Sequence, residues 1–220
     1  MAISKLNFNS LNVTPTASKG IGFDSGADDL EAGFSGGSMT FIKKLTASSS
    51  ANLAFVDGAS SVVLDNTYKE YQIHGTNLHG QTDDKNLRFI TSTDTGSSYG
   101  VATTSTAFRS LHNEDASEGN LSYSAAFDLA QGTGAQLINL MDASGADSCM
   151  NFILTLYDWS NTTFVKHWTC RSVSVEGGAD GAIDMFTAGY VNTTSAVDAI
   201  KFDMNSGNID SGTITLYGIS

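Results

Sequence analysis

Few residues in this sequence have the type and spacing that chemistry requires. The histidines are His74, His79, His112 and His167. His74 and His79 are five apart, so on a regular strand they point to opposite faces, which is poor metal geometry. No Cys/His cluster has zinc spacing. The acidic pairs Asp83/Asp84 and Glu114/Asp115 have the oxygen ligands a calcium ion takes from loops, but no D-x-D-x-D-G register frames them. Solvated loop charges are the simpler reading, and nothing singles out two carboxylates as a glycosidase pair. Gly33-Phe34-Ser35-Gly36-Gly37 matches the G-x-S-x-G nucleophile elbow, yet it lies in a glycine-rich linker with no helix after it. That match is expected to be chance. No catalytic residue, metal ligand or cofactor site is assigned.

Aromatic residues offer a different chemistry, stacking on sugar rings. Trp168 is in phase with Phe164 and Cys170 on a strand-like run, which predicts core packing. Trp159, in the turn 158–163, is the tryptophan expected to be exposed, and so the candidate glycan-binding residue. Several tyrosines have the same capacity. Cys149 and Cys170 sit in separate strand-like runs and could be bridged if those strands neighbour each other; the reading expected is two buried free thiols, packing as small hydrophobes.

Such side chains must be positioned by strands. The 220 residues are 40% hydrophobic, enough to bury a core without disulfides or metals. No apolar run is long enough to span a bilayer, and Met1–Lys5 has no apolar segment of the secretory kind behind it. With 23 acids against 11 bases the formal charge is −12, which argues against a nucleic-acid partner, because phosphate binding needs clustered Lys and Arg. Glycine numbers 22 and proline one, Pro15. From Met39 onward the pattern has period two. Strands are expected over Met39–Thr46, Asn52–Val56, Tyr68–Leu78, Leu87–Thr93, Tyr99–Leu111, Leu121–Leu129, Gln131–Met141, Cys149–Tyr157, Thr163–Val175, Ala182–Val191, Val197–Met204 and Thr213–Tyr217. In Thr163–Val175 the apolar phase slips between Cys170 and Val173, which predicts a bulge. Turn residues punctuate these runs, notably Asp94–Ser98 and Ser206-Gly207-Asn208. No helical period and no internal repeat is evident. The fold class expected is all-β: a two-sheet antiparallel sandwich of jelly-roll type with an extended N-terminal arm.

Residues 1–38 form that arm, and 39–220 the sandwich. Ile3, Leu6, Phe8, Leu11 and Val13 are spaced along a polar thread, and Ile21, Phe23 and Phe34 sit in a Gly/Asp-rich stretch. Its acids lie among glycines that neither helix nor strand favours. Disordered chain seldom carries so many apolar residues, so these eight are read as anchors that dock on a neighbour, by adding a strand to an exposed edge.

Several short motifs, in order, resemble one family. They are Tyr68-Lys69-Glu70-Tyr71 with Asn77-Leu78-His79, Ser92-Thr93-Asp94 with Gly96-Ser97-Ser98-Tyr99, Phe108-Arg109-Ser110 with His112-Asn113-Glu114, and Thr163-Phe164-Val165-Lys166-His167. Ala188-Gly189-Tyr190 and Asn192–Val197 follow, and the series closes on Ser206–Ile214. The chain resembles the jelly-roll-type structural proteins of marine tailed bacteriophages, over most of 39–220. The resemblance implies a non-enzymatic component of the virion surface. One form is a capsid decoration (cement) protein that binds the major capsid protein or other virion proteins through its arm. The alternative is the head of a tail fibre or spike that binds host-surface carbohydrate. A homotrimer is plausible for either role, with no nucleic-acid or membrane partner.

Overall fold

The computed structural model describes residues 20–23, 30–34, 38–176 and 180–220. Its strands, in chain order, are β1 (Gly20–Phe23), β2 (Leu30–Phe34), β3 (Met39–Thr46), β4 (Leu53–Val56), β5 (Glu70–Gly80), β6 (Lys85–Ser92), β7 (Thr103–Asn113) and β8 (Gly119–Tyr123). Then follow β9 (Leu129–Gly132), β10 (Ala135–Met141), β11 (Met150–Tyr157), β12 (Lys166–Glu176), β13 (Gly181–Val191), β14 (Ala199–Met204) and β15 (Ile209–Ile219). There is no helix among the described residues. The chain divides into two compact units, residues 1–40 and 41–220.

The protein is an all-β antiparallel sandwich of two sheets, of the jelly-roll kind. The wide sheet runs β3-β15-β5-β11-β12-β13-β7, and both β8 and β9 pair with the far edge of β7. The narrow sheet runs β10-β6-β14-β4. A single pairing, Met141 with Glu176, joins the two layers along one side.

Alternation decides which residues meet between the layers. Phe152, Leu154 and Leu156 of β11 face inward with Tyr71 and Ile73 of β5, Trp168 and Cys170 of β12, and Ile214 and Leu216 of β15. Opposite them lie Leu87 and Phe89 of β6, Leu137 of β10, Phe202 of β14 and Phe55 of β4. The layers are keyed by rings: Phe89 meets Trp168 edge-on at 5.0 Å, and Phe152 stacks on Phe202 at 5.8 Å. Beyond β12 a smaller core of Ala107, Leu111, Ile183 and Met185 lies under β7 and β13, with Phe127 packed against it.

Several expected elements are revised. The run Leu121–Leu129 is two strands, β8 and β9, because residues 124–127 form a turn in which Phe127 N donates to Ser124 O. The strand expected from Tyr99 begins at Thr103, and the one expected from Thr163 begins at Lys166. Phe164 therefore lies outside β12 and is exposed. β12 carries no bulge: it pairs without a shift against both β11 and β13. The pattern misled because the inward slots at 172 and 174 hold serines, while Val173 points outward. Ser172 is accommodated by donating its hydroxyl to Leu137 O at 2.6 Å. The bulge lies instead in β5, where Gly75 pairs with Phe152 and Leu78 with Met150, and Asn77 takes φ 49°. Finally, the Gly/Asp-rich leader does contain strands. β1 and β2 form an antiparallel pair, Phe23 opposite Leu30 and Gly22 opposite Glu31.

Two turns are held by carboxylates. Asp94 accepts from the Ser92 and Ser98 hydroxyls and from Ser98 N, which holds its carboxyl down at about 2. Asp142, buried, accepts from Ser144 N and Oγ, Gly145 N and the Ser148 hydroxyl, and these donors hold it well below the usual carboxylate range. Folded values below the unfolded one, near 3.8, mean that both groups stabilise the protein above about pH 4. That contribution is lost as pH falls through the folded values. Asp142→Asn is expected to cost roughly 2–3 kcal/mol near neutrality and to flatten the acid decline of the urea midpoint between about pH 5 and pH 2. An unchanged acid slope in this variant would contradict the assignment.

Candidate functional site

The residues singled out for chemistry are mostly occupied with structure. His74 and His79 are expected on opposite faces, but the β5 bulge restores His79 to the side of His74. Leu78 and Gly80 are buried while His79 is half-buried. The two still have separate partners. His74 Nε2 lies 3.2 Å from Gln72 Oε1 and its ring 5.0 Å from that of Tyr217, whereas His79 Nε2 lies 3.3 Å from Gly145 O. Burial lowers the His74 pKa from its ordinary value. Asp83 accepts from Ala143 N and Asp115 from Ser117 N, so one acid of each pair ties a loop. Among the described residues, no group of three or more His, Cys, Asp or Glu is placed to hold a metal ion. Cys149 and Cys170 are free thiols; Cys170 is fully enclosed, and burial pushes its pKa far up.

Of the eight anchor residues, Ile3, Leu6, Phe8, Leu11 and Val13 lie outside the described residues. Ile21 and Phe23 fall on β1 and Phe34 on β2. Of the nucleophile-elbow match, Gly33 and Phe34 end β2, and residues 35–37 lie outside the described residues.

Trp159 corrects an expectation. It is 0% exposed, its ring 6.3 Å from Phe89, and its Nε1 donates to His167 O at 3.2 Å. Val197 N donates to its carbonyl at 2.9 Å. A ring sealed against the core cannot stack on a ligand, and what looked like an exposed turn position is a plug at one end of the sandwich.

Exposed rings lie elsewhere, on the outer face of the wide sheet. Pairing registers place Ile153, Arg171, Phe186, Phe108 and Tyr123 directly opposite one another in turn, from β11 to β8. All five are exposed, and along β11, β12 and β13 the neighbours of each face the core. Phe108 and Phe186 stack at 5.0 Å with planes 5° apart, at 44% and 37% exposure. The Arg171 guanidinium sits 5.1 Å over the Phe186 ring. It also donates twice to Asp184, Nε to Oδ1 at 3.0 Å and Nη2 to Oδ2 at 2.8 Å, and the carboxylate raises its pKa further.

Four residues away along the strands lies a second row. Tyr157 is outward on β11, and His167 of β12 is paired with Tyr190 of β13, which is paired with Thr104 of β7. The His167 and Tyr190 rings are 6.2 Å apart. Between the rows run small residues: Thr155 opposite Thr169, Thr169 opposite Ala188, Ala188 opposite Thr106. Two ridges of rings therefore flank a low floor, and two adjoining depressions occupy it, about 390 Å3 and 290 Å3. They share Thr106, Thr169 and Ala188. The Tyr157 hydroxyl and Thr169 Oγ1 are 3.2 Å apart, so one ridge leans toward the floor.

This arrangement suits binding, by ring contact and hydroxyl hydrogen bonds. Most of these residues were not singled out from the sequence. The available signal was that β13 carries aromatic rings, Phe186 and Tyr190, in the outward phase as well as Ile183 and Met185 inward, where a half-solvated strand carries polar residues outward. Knowing that the outward residues fall in register needed the pairing.

No family model matches the chain, and no match was found among the curated proteins or the solved structures.

Proposed function

We propose that this chain is a non-enzymatic structural protein of a bacteriophage virion surface. Residues 1–38 fasten it to the assembled shell, through the major capsid protein or another virion protein, and the sandwich faces outward. The observation that supports this reading is the division of the chain. A leader unit carries its own two-stranded sheet, and residues 41–220 contain both hydrophobic cores. Such a build suits a compact body held by a separate tether, where weak contacts add over many copies of a lattice. A charge of −12 suits dense display, since neighbouring bodies repel rather than coalesce. A homotrimer multiplies the tether contacts again.

Removing residues 1–38 tests the reading. The remaining chain is expected to stay folded, with a β-type circular dichroism spectrum and a cooperative melt, yet to be missing from particles by quantitative mass spectrometry. Normal occupancy without the leader would overturn it.

A second reading, the head of a tail fibre or spike that binds host-surface carbohydrate, is favoured by the aromatic rows on the outer face. Copy number separates the two: hundreds per particle for a decoration protein, a few tens at most for a fibre or spike.

A further inference from the structure

We infer that the trough between the two aromatic rows is a binding site for a neutral hexose polymer, laid across strands β11, β12, β13 and β7. The inference deepens the carbohydrate reading above and rests on it. It does not depend on where in a particle the chain sits.

The shape comes first. The ridges are four residues apart along each strand, roughly 13–14 Å, and the trough crosses three interstrand spacings, roughly 14 Å. That is room for more than one sugar ring. A pyranose has an apolar C–H face and a rim of hydroxyls, and it needs a surface with both characters. Here the flanks supply apolar ring surface, from Tyr157 and Tyr190 on one side and from the edges of Phe186 and Phe108 on the other, the faces of the latter pair being taken up by their own stack and by Arg171. The floor supplies the hydroxyls of Thr106 and Thr169. The Phe108–Phe186 stack and the Arg171 contact hold one ridge in place before any ligand arrives, which lowers the ordering cost of binding.

Charge then chooses among occupants. The molecule carries −12, yet no carboxylate lines either depression among the described residues. The one full cation in them, Arg171, is already matched by Asp184 through two hydrogen bonds. The trough is an electroneutral island on an acidic body. A second copy would bring a body of the same −12 net charge, a repulsion that any self-association of the chain, the homotrimer included, has to offset with contacts elsewhere. An acidic polymer would meet the same repulsion with its cation already engaged. A neutral saccharide brings neither penalty.

The full chain, labelled for NMR, is titrated with neutral hexose oligomers: β-1,4-, β-1,3- and α-1,4-glucans, a mannan and a galactan, with an oligogalacturonate as the acidic comparison. At least one neutral oligomer should shift the amides of Thr169, Ala188 and Tyr190. Phe186→Ala or Tyr190→Ala should weaken that binding about tenfold. Ala188→Gln, which raises the floor, should abolish it, and Phe164→Ala, an exposed ring outside the trough, should leave it unchanged. No shift with any neutral oligomer overturns the inference, as does binding of the acidic oligomer alone. Sedimentation in which Phe186→Ala turns an oligomer into monomers also overturns it, and assigns the face to copies of this chain. Loss of particle incorporation on removing residues 1–38 is read separately, so the site and the tether fail independently.

Discussion

Trp159→Ala should lower the folding free energy by about 3–5 kcal/mol, the range for deleting a large buried aromatic. It should leave any ligand affinity of the surviving folded fraction unchanged. The ring is fully enclosed, touches Phe89, and spends its only donor on His167 O. Removing it opens a cavity beside a close-packed ring cluster and strands a carbonyl that has lost its partner. Trp159→Phe should recover much of the packing but not the hydrogen bond, and so fall between. Urea titration followed by far-ultraviolet circular dichroism measures the loss. Wild-type stability combined with weakened sugar binding would instead make Trp159 a surface ligand-binding ring.

Gly212→Ala should be nearly as damaging although it adds a single methyl group. Gly212 has φ 100°, a conformation that L side chains rarely adopt, and it lies where β15 shifts register against β5. A Cβ there would meet Asn77 O, and Leu78 Cα at 2.6 Å, both backbone atoms of the neighbouring strand that no rotamer change can move. Strain and overpacking together should cost roughly 2–5 kcal/mol. Gly58→Ala separates the two causes, because Gly58 also has a positive φ, 73°, but nothing lies within 4 Å of its would-be Cβ. It should cost about 1–2 kcal/mol. Equal losses at the two positions would show that the close approach of β15 to β5 is not what excludes a side chain.

Particular residues show why some of this fold was legible and some was not. Phe152, Leu154 and Leu156 share one phase of a run of β-formers, and they line the core as that period requires. Ser206-Gly207-Asn208 is a reversal with Gly207 at φ 76°. These are local properties. Ser172 and Val173 break the period because a neighbouring layer supplies Leu137 O to a buried hydroxyl, which no local pattern announces. Lys166 is more extreme: a lysine with no exposed surface, its Nζ donating to Phe164 O at 2.6 Å and Thr193 O at 3.2 Å. Burial lowers its pKa. In the sequence it reads as an ordinary charge at the start of a strand.

The candidate site divides the same way. That Phe108, Arg171, Phe186 and Tyr190 face away from the core follows from strand phase, which one sequence contains. That they form two facing rows does not follow, because register joins residues up to 86 positions apart, as Thr104 to Tyr190. By itself the amino-acid sequence determined the all-β class, the phase of the main strands and the acidic, helix-free character, since these depend on near neighbours and composition. Only the tertiary structure decided that Trp159 is sealed inside, that β5 carries the bulge, and that scattered rings converge on one trough. Each of those depends on which distant strand lies alongside, and so on free energy shared between segments that are far apart in the chain.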